Sequence, residues 1–353
     1  MEISEAQIKN CHSERIFAIN NVMSVSLLSV QETCDQLGVQ QQSVTVFHID
    51  NARHLNDVHL STLARVTAFT IYCMRILKRN PEKSLVICLD STSTEAISRA
   101  CVLLGSFLIL GQGEEYQAVV NSFCPMEKYF VEIPSCSSSR DNDQISVSVQ
   151  DCWRAIHHAS RHGWIDQSLQ TRNKSRVFSK GSIDIDAYSH YSQIANGGVF
   201  TVVPGKVLVF PRPHDLIDNL DWMDSPDGKD RHFAPRFFAD LFSSEFAVSV
   251  VGCLGYSDKS AYDRQAFRDY GIDAEVLSVS NTSSHLQVLD RFLTIARAIP
   301  GMIALDGGRR DAAGLTGSLV MAYLIREVDF DEAAAVAWIL MVCPQLLVSS
   351  TAV

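Results

Sequence analysis

The sequence predicts an α/β protein built from two related domains in tandem, each with a central, mainly parallel sheet flanked by helices. Strand-like runs alternate with helix-like runs along the chain, as in parallel sheets covered on both faces. The length, 353 residues, is too great for one average domain and suits two. Residues 85–110 (LVICLDSTSTEAISRACVLLGSFLIL) also have a counterpart in residues 302–325 (MIALDGGRRDAAGLTGSLVMAYLI). With Leu89-Asp90 placed over Leu305-Asp306, the two run without a gap for about twenty residues at an offset of 216. Each is a short β-run ending in Leu-Asp, a small-and-polar loop and an apolar helix. Each continues through an acidic helix start (Glu114-Glu115; Asp331-Glu332) to a second helix closing in Cys-Pro (Cys124-Pro125; Cys343-Pro344).

In chain order, 44–49 reads as a strand, 60–77 as a helix, 85–89 as a buried strand and 94–110 as an apolar helix. The polar tract 134–144 (PSCSSSRDNDQ) marks the end of a first domain over residues 1–150. Residues 151–163 (DCWRAIHHASRHG) read as a helix inside a connecting region, 151–190, whose stretch 167–182 is polar and basic. The second domain covers 191–353. There 199–210 (VFTVVPGKVLVF) reads as paired strands about a Pro-Gly turn, and 246–254 and 274–279 read as buried strands.

Composition narrows the function classes. Hydrophobic residues are 46% of the chain and charged ones 20%, which excludes wholesale disorder. Thirty Lys and Arg against forty Asp and Glu leave a net charge of −10, the wrong sign for holding nucleic acid by phosphate neutralisation. The longest apolar stretches, 100–110 and 333–344, fall short of the ~20 residues that cross a bilayer. The acidic N-terminus reads as neither a secretory signal nor a basic transit peptide. Ten cysteines, none in a C-x-x-C pair, fit buried thiols in a reducing compartment. The expectation is a cytoplasmic or nuclear protein with no nucleic-acid partner, no membrane span, no metal and no cofactor.

A strand running into a small-residue loop and then a helix N-terminus can hold phosphate, because successive N–H groups form a nest and the helix dipole adds positive potential. Around such a loop the chain carries 184–190 (DIDAYSH), Asn196-Gly197, 203–207 (VPGKV), Phe210 and Pro213-His214. Phe292-Leu293 precede the loop; 315–317 (LTG), 337–339 (AWI) and Cys343-Pro344 follow it, and DCWRAIHHASRHGWID stands at 151–166. In this order these residues resemble the Cell Division Cycle 14 family of dual-specificity protein phosphatases over nearly the whole chain. The resemblance implies two dual-specificity-phosphatase-like domains, with catalysis confined to the second through a loop HCxxxxxR[ST]G. In such a loop the cysteine thiolate attacks phosphorus, the arginine forks onto phosphate oxygens, and a separate aspartate protonates the leaving oxygen.

Every chemical position departs from that pattern. Counting forward from the strand, His-Cys falls on Asp306-Gly307; counting back from the helix, the arginine falls on Leu315 and the cysteine on Arg309. The loop is about two residues longer than the family's, and no cysteine stands between Cys253 and Cys343. The general-acid position falls on Ser280, and QLLVSSTAV after Cys343-Pro344 lacks the family's Arg-Pro-Gly and paired glutamines. The degenerate phosphate loop thus comprises Asp306, Gly307, Gly308, Arg309, Arg310, Asp311, Gly314, Leu315 and Thr316. Two outcomes stay open: a catalytically inactive binding, scaffold or regulatory module, or a weak or unconventional phosphatase needing another nucleophile. The resemblance implies a protein partner (a phosphoprotein, an active phosphatase or a cytoskeletal component) and a cytoskeletal or ciliary setting.

Other residues bear on the choice. Arg309 and Arg310 could hold an anion or pair internally with Asp306 and Asp311; Asp306 is expected to cap the next helix, and Gly307-Gly308 to make tight turns. His158 and His162 have a metal-compatible i, i+4 spacing but no evident third ligand, so a solvated helix face is expected. Cys88 and Cys253 end strands, with no Gly-rich loop and arginine behind them, and read as packing thiols. Asp215, Asp218, Asp221 and Asp224 make an acidic loop around Trp222, read as an exposed connection with some capacity to attract basic peptides.

Overall fold

A computed structural model of the chain describes residues 15–20, 23–37, 62–79, 85–89, 93–134, 146–165, 181–216, 220–228, 230–255, 262–279, 284–307 and 313–347. The strand expected at 44–49, most of the polar tract at 134–144 and most of the basic stretch at 167–182 lie outside them. The chain is a mixed α/β protein that divides into two compact units. One comprises Met1–Cys136, Ser146–Arg161 and Gln167–Arg172; the other comprises Ser137–Ile145, His162–Asp166 and Asn173–Val353.

The first unit runs β1 (Ile16–Ala18), β2 (Met23–Ser26), α1 (Val30–Leu37), α2 (Leu63–Arg79), β3 (Leu85–Cys88), α3 (Thr94–Gln112) and α4 (Tyr116–Phe123). A 3-10 turn (Cys124–Tyr129), β4 (Ile133–Pro134), β5 (Ser146–Val147) and α5 (Val149–Arg161) follow. β1 pairs antiparallel with β2, which pairs parallel with β3; β4 and β5 form a separate ribbon. β1 and β2 were not foreseen: IFA and MSVS are too short to show a period.

α3 is longer than the apolar run that announced it. At 19 residues it is long and apolar enough, by length and composition, to cross a membrane, which corrects the sequence estimate. However, 78% of that stretch is buried inside the protein, as in a core helix packed on all sides. Ser93 caps its start by accepting from Ala96 N–H, and Gly113, at φ 72°, ends it in the left-handed region. The Trp153 indole on α5 donates to Cys101 O at 2.9 Å. A Cβ at Gly105 would run into that indole, so glycine is what lets α5 come this close. Residues 149–161, expected to lie largely in a connecting region, are thereby packed into the first unit, while His162–Asp166 go with the second.

The second unit runs α6 (Ile185–Tyr191), a 3-10 turn (Ile194–Asn196), β6 (Phe200–Val203), β7 (Val207–Phe210), β8 (Trp222–Asp224), β9 (Arg231–Phe233), α7 (Pro235–Ser244) and β10 (Val248–Gly255). It continues with α8 (Gln265–Arg268), β11 (Asp273–Ser278), α9 (His285–Ala298), β12 (Met302–Asp306), α10 (Ala313–Glu327), α11 (Glu332–Val342) and a final 3-10 turn (Pro344–Leu347). Its five-stranded sheet has the order β11-β10-β12-β7-β6, parallel at every junction except β7–β6. The β6–β7 hairpin turns on Pro204-Gly205, with Gly205 at φ 70° and Lys206 N–H donating to Val203 O.

On one face of the sheet, Leu208, Phe210, Val251, Cys253 and Ala304 pack against Phe238 and Phe242 of α7 and Phe267 of α8. The rings of Phe238 and Phe242 meet Phe210 edge-on at 4.9 Å. At the edge strand, Trp338 of α11 donates to Val202 O at 2.9 Å, and Tyr188 of α6 donates to Val342 O at 2.7 Å. β7, β12 and β10 end together, at the end of a parallel sheet where α/β proteins hold ligands.

Candidate site at the carboxyl end of the second sheet

β12 delivers Asp306 to this end. All five β12 residues are buried, and Asp306 is 1% exposed. Side chains alternate along a strand, so Asp306 shares the face of Met302 and Ala304, above the aromatic cluster. Its Oδ1 accepts from Leu254 N–H at 2.7 Å and its Oδ2 accepts from the Tyr262 hydroxyl at 3.0 Å. The same hydroxyl lies 3.1 Å from Cys253 Sγ. Arg212, two residues beyond β7, places its Nε 3.7 Å from Asp306 Oδ2 and donates through Nη2 to Leu254 O. Burial pushes the Asp306 carboxyl up to about 7, against the opposing pull of Arg212, the Leu254 N–H and the Tyr262 hydroxyl.

Asp306 was expected to cap the following helix, and the structure corrects that. α10 starts only at Ala313, and the carboxylate points sideways to the neighbouring strand β10 and to Tyr262. A sequence cannot say towards which neighbour a strand-end carboxylate turns. Arg212 and Tyr262 were missed for the same reason, although an arginine directly after one strand of a recognised hairpin was a usable signal.

Gly307 is partly buried and fixed: its N–H donates to Phe210 O at 2.7 Å. A Cβ there would stand 2.7 Å from Val209 Cγ1, too close without a shift. The forward count therefore puts the family's cysteine where a β-carbon would require Val209 to shift. The backward count puts its arginine on Leu315, which is apolar and 3% exposed. Thr316 is fully buried beside it and Gly314 is partly buried. Gly308, Arg309, Arg310, Asp311 and Ser280 lie outside the described residues.

The two strand-end cysteines are packed. Cys88 is 1% exposed and donates to Thr33 Oγ1; Cys253 is 7% exposed, and burial pushes its thiol up to about 11. Among the described residues no group of three or more His, Cys, Asp or Glu converges as a metal site. His157 pairs with Glu115 at 2.8 Å, and His162 stacks among Trp164 and Phe330. The acidic loop is in part a hairpin, β8–β9. Its Arg231 forks onto Asp224 at 2.6 and 3.0 Å and covers the Trp222 ring at 3.8 Å, while Asp218 lies outside the described residues.

A strand end and a following helix at the carboxyl edge of a mainly parallel sheet, with a buried polar cluster at the strand end, make a mixed α/β arrangement consistent with a phosphatase fold. No family model matches the chain. Curated relatives do: it is 24% identical to the dual specificity protein phosphatase CDC14AB of Danio rerio over 277 residues, 76% of this chain and 40% of that protein. It is 24% identical to CDC14A of Homo sapiens over 282 residues (76% and 41%) and 21% identical to the tyrosine-protein phosphatase cdc-14 of Caenorhabditis elegans over 293 residues (81% and 37%). The chain is thus similar, over about three quarters of its length, to CDC14 dual-specificity phosphatases. It spans about 40% of the length of these relatives.

Proposed function

We propose that the chain is a catalytically inactive member of this family, built from two phosphatase-like domains and acting as a protein-binding, scaffolding or regulatory module. One observation carries the proposal. At the strand end that leads into the phosphate loop, Asp306 is buried with both oxygens engaged, and a β-carbon at Gly307 would force the Val209 side chain to shift. Neither residue is a thiol or an imidazole, and the sequence has no cysteine between 253 and 343 to supply a nucleophile from elsewhere in the loop. Without a nucleophile the covalent route is closed, and remaining acid–base or oxyanion assistance supplies at most about 10²–10⁴-fold each.

The tandem arrangement is supported by a repeated helix ending. In the first unit Gly113 takes φ 72° after α3, and the next N–H, of Glu114, closes onto Leu108 O at 3.0 Å. In the second, Asp329 takes φ 64° after α10, and the Phe330 N–H closes onto Leu324 O at 3.0 Å. These pairs stand at the same 216-residue offset as the sequence repeat. Partners in keeping with the family are a phosphoprotein, an active phosphatase or a cytoskeletal component, met in the cytoplasm or nucleus.

The test is hydrolysis of para-nitrophenyl phosphate by the purified chain. No turnover above buffer is expected. Turnover that scales with protein and survives thiol-blocking reagents would establish an unconventional phosphatase instead.

A further inference from the structure

Arg212 is a cation in an unusual position. Its side chain is 27% exposed, its Nη2 is spent on Leu254 O, and its Nε is buried with no hydrogen-bond partner among the described residues. The Asp306 carboxylate, 3.7 Å away, balances it by charge rather than by a hydrogen bond, because its own oxygens are taken by Leu254 N–H and Tyr262. The other titratable groups facing Asp306 among the described residues are Cys253 on β10 and Tyr262 in the segment before α8, with Arg264 acting on Cys253. Among the described residues Arg212 is therefore the cation acting on the carboxylate, and the carboxylate supplies its counter-charge.

We propose that Asp306 is an internal anion that closes this end of the sheet to external oxyanions, and that neutralising it turns Arg212 into a binding site for a tetrahedral oxyanion. Neutralising Asp306 relieves the cost of burying its own charge but leaves the Arg212 guanidinium without its counter-charge, so an external anion gains by replacing it. Tetrahedral oxyanions suit a guanidinium, whose planar donors match their oxygens. Protonation is the natural route to neutralisation. Burial holds the carboxyl near 7, so it is ionised in mildly alkaline solution and neutral in mildly acidic solution. This inference rests on the inactive-loop reading only in that no cysteine–arginine loop competes for the anion.

The test uses the full chain, with sodium tungstate as the probe and thermal melting as the readout, since an anion bound only by the folded state raises the melting temperature. At about 1 mM tungstate, a rise of several degrees is expected near pH 6 and none near pH 8.5. Asp306→Asn is expected to give the rise at both pH values, and Arg212→Ala, alone or combined with it, at neither. If Asp306→Asn does not fold, the wild-type pH pair and Arg212→Ala alone decide the matter. The proposal is overturned by a wild-type shift that is the same at both pH values, or by one that survives Arg212→Ala. It is also overturned by a shift abolished by Arg309→Ala with Arg310→Ala while Arg212 is intact, which would assign the anion to the loop. Phosphate-ester turnover by the wild type would sink the inactive-loop reading but leave these binding outcomes to be judged separately.

Discussion

Asp306 makes the protein's stability depend on pH in the direction opposite to most carboxylates. Its folded-state value, about 7, lies above the ordinary 3.8, so the unfolded chain ionises first as pH rises. The group's contribution is fully present below about pH 4 and is withdrawn as pH climbs through about 7, amounting to roughly 2–4 kcal/mol. Asp306→Asn, a permanently neutral replacement, is expected to flatten the fall in urea midpoint that the wild type shows between about pH 5 and 8. An unchanged fall would mean that the carboxylate is ionised throughout. Gly307 yields a second prediction at this scale. Gly307→Cys would place a thiol where the forward count puts the family's cysteine, yet its Cβ meets Val209, so a loss of about 1–3 kcal/mol without any gain of turnover is expected from urea melts and the phosphate-ester assay. The sequence disclosed that these two positions had changed; it did not disclose what they now do, because that depends on Tyr262 and Arg212, brought in from 44 and 94 residues away.

Among the elements, legibility followed period and punctuation. The β6–β7 hairpin announced itself through valines about Pro204-Gly205, and the strands around 248–255 and 273–278 through short, largely apolar, valine-containing runs. α9 carried its own start signal: Ser284 accepts from Gln287 N–H, and the Gln287 side chain accepts from Ser284 N–H. The helix read over 94–110 starts where α3 does and stops two residues short of its end at Gln112, just before the Gly113 cap. The β8–β9 ribbon was unreadable in a tract where an aspartate recurs every third residue from 215 to 230, a spacing that belongs to neither strand nor helix. Helix endings carry the test at this scale. Asp329 holds φ 64° where the first unit uses glycine, so Asp329→Gly is expected to stabilise the chain by several tenths to about 1 kcal/mol in urea melts. No gain would imply that the aspartate side chain offsets its backbone strain.

Across the whole molecule, the order strand, apolar helix, second helix, Cys-Pro turn recurs once in each compact unit. What no repeat could reveal was where one unit hands over to the next, since that is decided by which core a side chain enters. Trp153 anchors α5 in the first unit; eleven residues on, Trp164 lies 5.6 Å from Phe330 and 5.5 Å from Trp338, centroid to centroid, in the second. Trp164 is 6% exposed, so its removal should cost about 3–5 kcal/mol. A fragment beginning at residue 162 is accordingly expected to melt well above one beginning at residue 181, measured by circular dichroism; equal melting would place the boundary after the tryptophan.

The scattered thiols lend themselves to one use. Cys124 is exposed, whereas Cys34, Cys73, Cys88, Cys101 and Cys152 in one unit and Cys253 and Cys343 in the other are enclosed. A maleimide pulse followed by peptide mass mapping would tag Cys124 at once and each enclosed sulfur only when its surroundings open. The molecule thus carries built-in reporters of breathing in both halves, without any engineered label.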